Sequence, residues 1–262
     1  MAVRFPGFSA NLAMLFQEVP FLQRFARARR AGFNAVEISS NELFAHPPDE
    51  VRSCLDAEGL ECVLFNLPAG DWRQGDRGLA SLDRPKEFLA SLQQGAEYAQ
   101  RLKCPRVHCL AGLNGSAELY RSNLRKAVEF LGPDVEVLIE PINQRSMPGY
   151  HLASFAEAAD IIADIAGQSD KPLKLLFDVF HCQILHGDLS TNMRKYSDHI
   201  GHVQVAGVPD RGEPDARQEV NFRYLFDLLR NELGYQGHIG CEYHPRGETE
   251  DGLKWLEEVV AE

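Results

Sequence analysis

Four short apolar runs each deliver one oxygen-bearing side chain near their end: EVLIEPIN (Glu136–Asn143), LKLLFDVFH (Leu173–His181), HVQVAG (His202–Gly207) and HIGCEYHP (His238–Pro245). The side chains are Glu140, Asp178, Gln204 and Glu242. Each run reads as a buried strand, where a carboxylate is costly unless positive charge or hydrogen-bond donors offset it. Three carboxylates and an amide on consecutive strands compose an oxygen-rich cage for a hard divalent cation. Oxygen-only ligands favour Mg2+ or Mn2+ over zinc, whose sites usually include nitrogen or sulfur. Such a cation polarises a carbonyl and its neighbouring hydroxyl. A carboxylate on each side of a substrate can then remove and return a proton.

The elements that must position these residues alternate along the whole chain. Strands are expected at Phe8–Met14, Ala35–Ser39, Glu61–Leu67 and Arg106–Ala111, followed by the four runs above. Helices are expected at Phe21–Ala31, Asp49–Glu58, Lys86–Leu102, Ala117–Leu131, Phe155–Ala166, Ser190–Ser197, Phe222–Glu232 and Glu248–Val260, from apolar positions three and four apart and stops such as Gly32 and Gly59. Eight strand–helix units in 262 residues predict an α/β fold, a (β/α)8 TIM barrel forming one domain over residues 1–262. A doubly wound sheet is disfavoured by the strand count and by the absence of a GxGxxG turn. Barrel enzymes keep their chemistry at the C-terminal strand ends, where the four candidates lie. Side chains alternate faces along a strand, so Leu138 goes with Glu140, Leu176 with Asp178, His202 with Gln204, and Gly240 with Glu242. Gly240 is expected to leave room beneath Glu242, and Val137, Leu138 and Leu175 to fill the bottom of the barrel.

Composition narrows the classes of function. The chain is 44% hydrophobic and 25% charged, ordinary for a soluble enzyme with a large core. It carries 27 basic against 38 acidic residues, a formal charge of −11. That field repels phosphate backbones, so nucleic acid is not an expected partner. The six cysteines are scattered, with no CxxC spacing, and read as reduced core thiols. No charged head precedes an apolar leader, and no apolar run approaches the roughly 20 residues that span a membrane. A cytoplasmic protein without a membrane partner is expected. No helix shows a clear second apolar face, which leaves a homo-oligomer an open question.

The pattern of Glu140 in IEPIN, Asp178-x-x-His181, Gln204 in HVQVA and Glu242 in GCEYHPRG resembles the hydroxypyruvate isomerase family, within the xylose-isomerase-like barrels. The resemblance extends from SANLAMLF (Ser9–Phe16) through LFNLPAGDW (Leu64–Trp72) and MPGY (Met147–Tyr150) to the terminal helix. It implies reversible conversion of hydroxypyruvate to tartronate semialdehyde through an enediol, with a small hydroxy-oxo acid as the partner. Glu140 and Glu242 would be both metal ligands and the acid/base pair, and Asp178 and Gln204 would complete the metal shell. Keto-sugar epimerases of the wider superfamily often carry a histidine where this chain has Gln204, so the amide favours the hydroxypyruvate branch. The chain departs from the family in having Ala206-Gly207 where Ala-Asp is expected, and Ala216–Glu219 in place of a Gly-Thr-Gly-Glu stretch. Both departures lie in the loop Gly207–Glu219 and bear on the substrate, for which four-carbon acids such as 2-oxo-tetronate are the alternative.

Substrate-binding candidates are His181, Arg211, His108 and Glu37. His181 either reaches a substrate oxygen or orients a ligand. Arg211 either clamps a substrate carboxylate through its planar fork or is a plain surface arginine. His108 and Glu37 sit on apolar strands, where a satisfied core role competes with a functional one. Trp72 either covers the pocket or packs in the core. A dehydratase of an inosose-like ketone would use the same enolising carboxylate. An apurinic-type nuclease shares the barrel but needs several zinc ions and a basic face, which the acidic balance and Gln204 oppose. A non-catalytic binding protein would have no use for two apposed carboxylates around a metal.

Overall fold

In a computed structural model, residues 7–39, 41–166 and 173–260 are described. Eight parallel strands close into a barrel, each hydrogen-bonded to the next and β8 to β1. They are β1 (Phe8–Asn11), β2 (Ala35–Ile38), β3 (Glu61–Asn66), β4 (Arg106–His108), β5 (Glu136–Ile139), β6 (Leu173–Asp178), β7 (Ile200–Val205) and β8 (Ile239–Cys241). The expected (β/α)8 TIM barrel is therefore the fold observed. The outermost expected residues, 1–6 and 261–262, lie outside the described residues.

The helical layer begins with α1 (Phe21–Ala31) and α2 (Pro48–Glu58), which stop at Gly32 and Gly59 in the left-handed region, φ 111° and 61°. It continues with α3 (Pro85–Leu102), α4 (Ala117–Leu131) and α5 (Phe155–Ala166). Ser116 starts α4 by accepting from the Leu119 N–H. The single helix expected at Ser190–Ser197 is preceded by another, so that α6 (Val179–Leu185) follows β6 without a loop and α7 (Leu189–Tyr196) comes after it. Beyond β7, α8 (Phe222–Asp227) runs into a π-helical turn at Leu228–Glu232. The terminal helix is split into α9 (Thr249–Gly252) and α10 (Lys254–Val260).

Two apolar regions divide the core. Leu64, Leu138 and Leu176 form a small cluster of their own, whereas Val137 and Leu175 belong to the main cluster with the buried faces of the helices. The expectation that Val137 and Leu175 fill the barrel bottom is corrected by parity, since each is one residue away from an inward-facing leucine. Strands also end earlier than their apolar runs. Glu140 and Glu242 lie one residue beyond β5 and β8, and Asp178 is the last residue of β6. The runs stay apolar past these points because the mouth itself is buried, as Ile142, Tyr243 and Val179 show.

Candidate active site

A cavity of about 590 Å³ opens at the C-terminal mouth, walled in part by His108, Glu140, His181, Arg211 and Glu242. Asp178 is not itself a lining residue but contacts Arg211 and His181, which are. It caps α6, its Oδ1 accepting from the N–H groups of Phe180 (2.7 Å) and His181 (3.4 Å). Its Oδ2 lies 3.3 Å from Arg211 Nη2 and 3.5 Å from His181 Nε2. Glu242 accepts from Asn11 Nδ2 on Oε1 (3.0 Å) and from Arg211 Nη2 on Oε2 (2.9 Å). Glu140 faces His108 and His181, each at 3.7 Å, and its buried Oε1 has no hydrogen-bond partner.

The electrostatics follow from burial. Desolvation pushes the Glu140 carboxyl well above the usual carboxylate range, with the charges of Asp178 and Glu242 adding to it. Asp178 and Glu242 are likewise raised by burial, and Arg211 opposes the rise at both. One guanidinium thus serves three buried carboxyl groups. His108 is pushed down to about 3 by burial, so it is a neutral imidazole beside Glu140.

His181 is neutral for the same reason, its pKa lowered by burial first and by Arg211 second. Its Nδ1 accepts from the Asn143 backbone N–H at 3.3 Å and faces the Asn143 side-chain nitrogen at 2.6 Å. A backbone N–H can only donate, so the ring proton sits on Nε2. One atom each of Glu140, Asp178 and His181 lies within 4.8 Å of the others, a spacing compatible with a metal ion. The tautomer makes His181 Nε2 a proton donor in that group rather than a lone-pair ligand.

Gln204, the fourth candidate, pairs with Asp178 in the β6–β7 register and is not among the residues that line the cavity. Its Nε2 donates to Glu37 Oε1 at 2.7 Å, and its buried Oε1 has no partner. Glu37 does not wall the cavity. Its oxygens are taken up inside the barrel by Asn11, His202, Gln204 and, more distantly, Ser9. A divalent cation fits this donor set. Oε1 of Glu140 and Oε1 of Gln204 are buried acceptors without donors, and three carboxyl groups with one guanidinium leave negative charge unbalanced when ionised. All four candidates are oxygen donors, as Mg2+ and Mn2+ prefer.

Residues 25–259 match the family described as xylose isomerase-like TIM barrel. The chain is 42% identical over 260 residues to the 2-oxo-tetronate isomerase of Cupriavidus necator, covering 96% of this chain and 97% of that one. It is 39% identical over 261 residues to the hydroxypyruvate isomerase of Escherichia coli, covering 95% and 98%. The chain belongs to the xylose isomerase-like TIM barrel family. A crystal structure described as an AP endonuclease, family 2, from Brucella melitensis superposes with a TM-score of 0.90 at 39% identity, covering 97% of this chain and 98% of that one. The expected family is thus the family found, and the Cupriavidus necator and Escherichia coli relatives are named as isomerases.

Within this xylose isomerase-like barrel, the loop that departs from the expected pattern has a local explanation. Gly207 donates to Gly212 O at 2.7 Å, and a Cβ on it would come within 2.6 Å of the Glu213 carbonyl oxygen. The loop folds back too tightly for the aspartate expected there. Gln218 closes the changed stretch, its Oε1 accepting from Val220 N–H (2.6 Å) and its Nε2 donating to Asp215 O (2.7 Å). Glu213 then pins Arg246 of the following loop through Nε at 2.7 Å and the backbone N–H at 2.9 Å. The fold-back delivers Arg211, itself in the left-handed region at φ 55°, over the Phe180 ring and into the carboxylates. Arg211 is therefore part of the site wall, with its side chain 19% exposed. Trp72 is 43% exposed and walls the cavity, so it is no core residue.

Sequence reasoning passed over Asn11 and Asn143. Asn11 ends β1, in the buried run FSAN, and delivers a polar oxygen-bearing side chain at the C-terminal end of its strand as the other four do. Asn143 was inside the IEPIN run but carried no role. Among the described residues, no helix is long and apolar enough to cross a membrane.

Proposed function

We propose that this protein is a cation-assisted aldose–ketose isomerase that interconverts hydroxypyruvate and tartronate semialdehyde through an enediol. Glu140, Asp178, Gln204 and Glu242 would hold Mg2+ or Mn2+, and Glu140 and Glu242 would be the acid/base pair. The observation that carries the reading is the set of under-partnered buried carboxyl groups at the floor of an open cavity. Perturbed carboxyl groups in a cleft are the marker of proton-transfer chemistry.

When bound, the cation would polarise the substrate carbonyl and the adjacent hydroxyl. The protein's own part is proton traffic. One carboxylate of the pair takes a proton from the hydroxyl-bearing carbon 3, and the C–H electrons become the enediol double bond. The other delivers a proton to carbon 2, while one hydroxyl proton passes between the two substrate oxygens. His181 Nε2–H, placed between Glu140 and Asp178, suits a substrate oxygen. Arg211 brings a fixed positive charge to the wall and an Nε–H without a partner, which suits the substrate carboxylate. His108, neutral beside Glu140, suits a hydrogen-bonding role.

A four-carbon 2-oxo acid is the second reading. The cavity is several times the volume of a three-carbon acid, and Ser39, Asn41 and Asn66 line it with further polar groups. The test is a proton NMR time course in D2O with hydroxypyruvate and a 2-oxo-tetronate, with Mg2+ or EDTA. Tartronate semialdehyde, or solvent deuterium at carbon 3, that vanishes in Glu242→Gln supports the first reading. Turnover of the four-carbon acid alone moves the substrate assignment. If neither acid is turned over and neither exchanges with solvent deuterium, the isomerase reading fails.

A further inference from the structure

We propose that Glu37 is a positioning residue that sets the direction of one ligand, the Gln204 amide, and shares with a second, Glu242, the NH2 group of Asn11. The inference rests on the cation-holding role given above to Gln204 and Glu242. Glu37 is fully buried on β2 and does not touch the cavity. Its Oε1 receives Gln204 Nε2 (2.7 Å) and Asn11 Nδ2 (2.9 Å), and its Oε2 receives His202 Nε2 (2.7 Å). A carboxylate offers about four lone-pair sites and, ionised, no donor. Any amide pressed against it must therefore present its NH2 group. Gln204 does so, which turns its carbonyl oxygen away from Glu37 and leaves it buried without a donor. The O-versus-N choice at Gln204 is thus dictated by its neighbour.

Asn11 extends the same logic. Its Oδ1 accepts from the Ala13 backbone N–H (3.0 Å) and from Ser39 Oγ (3.0 Å). Because the backbone N–H cannot accept, the Asn11 NH2 is forced toward Glu37 Oε1 and Glu242 Oε1, the latter at 3.0 Å. Glu242 is left with Oε2 as its oxygen on the Arg211 side of the site. Gly240 makes the arrangement sterically feasible, since a Cβ there would strike both carboxyl oxygens of Glu37. The room beneath Glu242 is filled by this carboxylate. Position 204 accordingly needs a neutral side chain with a donor on one side and an acceptor on the other, and a carboxylate there would face Glu37 oxygen to oxygen.

The test is direct Mn2+ binding, read from the EPR signal of free Mn2+, with thermal unfolding recorded alongside. The full-length chain is compared with Glu37→Gln, Gln204→Glu, their double variant and Glu140→Gln. The Glu37→Gln side chain keeps one acceptor and gains a donor, so it loses its hold on Gln204 or on His202. It should weaken Mn2+ binding about tenfold, the low end for partners that orient ligands. The two substitutions should be coupled, because in the double variant the introduced amide can donate to the introduced carboxylate. The double variant should bind Mn2+ at least tenfold more tightly than the product of the single losses allows. Additive effects, or unchanged binding in a folded Glu37→Gln, overturn the inference while Glu140→Gln still loses Mn2+. Binding that is indifferent to Glu140→Gln overturns the cation site and the inference with it. Should Glu37→Gln fail to fold, Glu37→Asp keeps the charge, withdraws the acceptor from Gln204 and should still weaken Mn2+ binding about tenfold.

Discussion

Two sets of carboxylates lie inside one barrel and are treated differently. The lower one, Glu37, is saturated: amide, imidazole and amide donors meet it at 2.7–2.9 Å from β1 and β7. The upper set, Glu140, Asp178 and Glu242, shares a single guanidinium, and Glu140 Oε1 meets no donor at all. Both are buried to 5% exposure or less, so depth does not separate them. Partner count does. A buried carboxylate whose acceptor sites are filled behaves as framework, and one that is under-supplied stores electrostatic free energy that a cation or a proton in transit can release.

The largest effect expected from this contrast is chemical. Glu242→Gln or Glu140→Gln should lower kcat about 10³-fold, the middle of the range for a lost acid/base group. The same variants should unfold at or above the urea midpoint of the parent when no cation is present, because each removes an under-partnered buried charge. A marked loss of stability in either would place the upper set with the framework. Glu37→Ala should do the reverse to stability. It strands the Gln204, Asn11 and His202 donors and should cost about 3–5 kcal/mol, as breaking one side of a buried pair does. Urea unfolding decides it, and a cost under about 1 kcal/mol would erase the distinction between the two sets.

How much of this contrast is legible in the chain itself depends on sequence distance. The four upper candidates stand out because a carboxylate or amide interrupts an apolar run, and the barrel follows from eight such runs alternating with helical spacing. Glu37 also interrupts an apolar run, yet its partners cannot be read from spacing. His202 and Gln204 lie 165 and 167 residues away, and Asn11 reaches Glu242 across 231. Only barrel closure brings them together. Strand ends are not legible in the sequence, since Ile142, Val179 and Tyr243 beyond them are as buried as the strands they follow. Helix α6 is hidden for the same reason: Val179, Phe180 and Cys182 resume the apolar β6 run directly after Asp178, with no turn signal between strand and helix.

A third, smaller effect concerns pH. Burial raises the folded-state pKa of all three upper carboxyls, Asp178 to about 6 and Glu242 to about 7, whereas unfolded carboxyls titrate near 4. The folded chain holds these protons when the unfolded chain has lost them. The stabilisation is fully present below pH about 4 and is lost as pH rises through about 6 to 7. In EDTA, stability should therefore fall between pH 5 and pH 8, by about 1.4 kcal/mol per pH unit for each proton involved. Saturating Mn2+ should restore it at pH 8. Urea midpoints that rise with pH in EDTA would contradict the raised values, and Glu242→Gln should flatten the slope.

The smallest effect tests whether the outer wall belongs to either set. Trp72 lines the cavity from the loop after β3, and Arg77 stacks on its ring with the guanidinium carbon 4.0 Å from the centroid. Neither carboxylate set hydrogen-bonds to it. Trp72→Ala removes a half-exposed surface with few buried contacts, so unfolding should shift by no more than about 0.5 kcal/mol. Its loss should appear instead as a KM raised a few-fold with kcat nearly unchanged, the signature of binding shared equally by ground and transition states. A fall in kcat comparable to that of Glu242→Gln would mean that closure of this wall completes the proton-transfer geometry. The division between framework and chemistry would then have to be drawn through the loops as well as through the barrel.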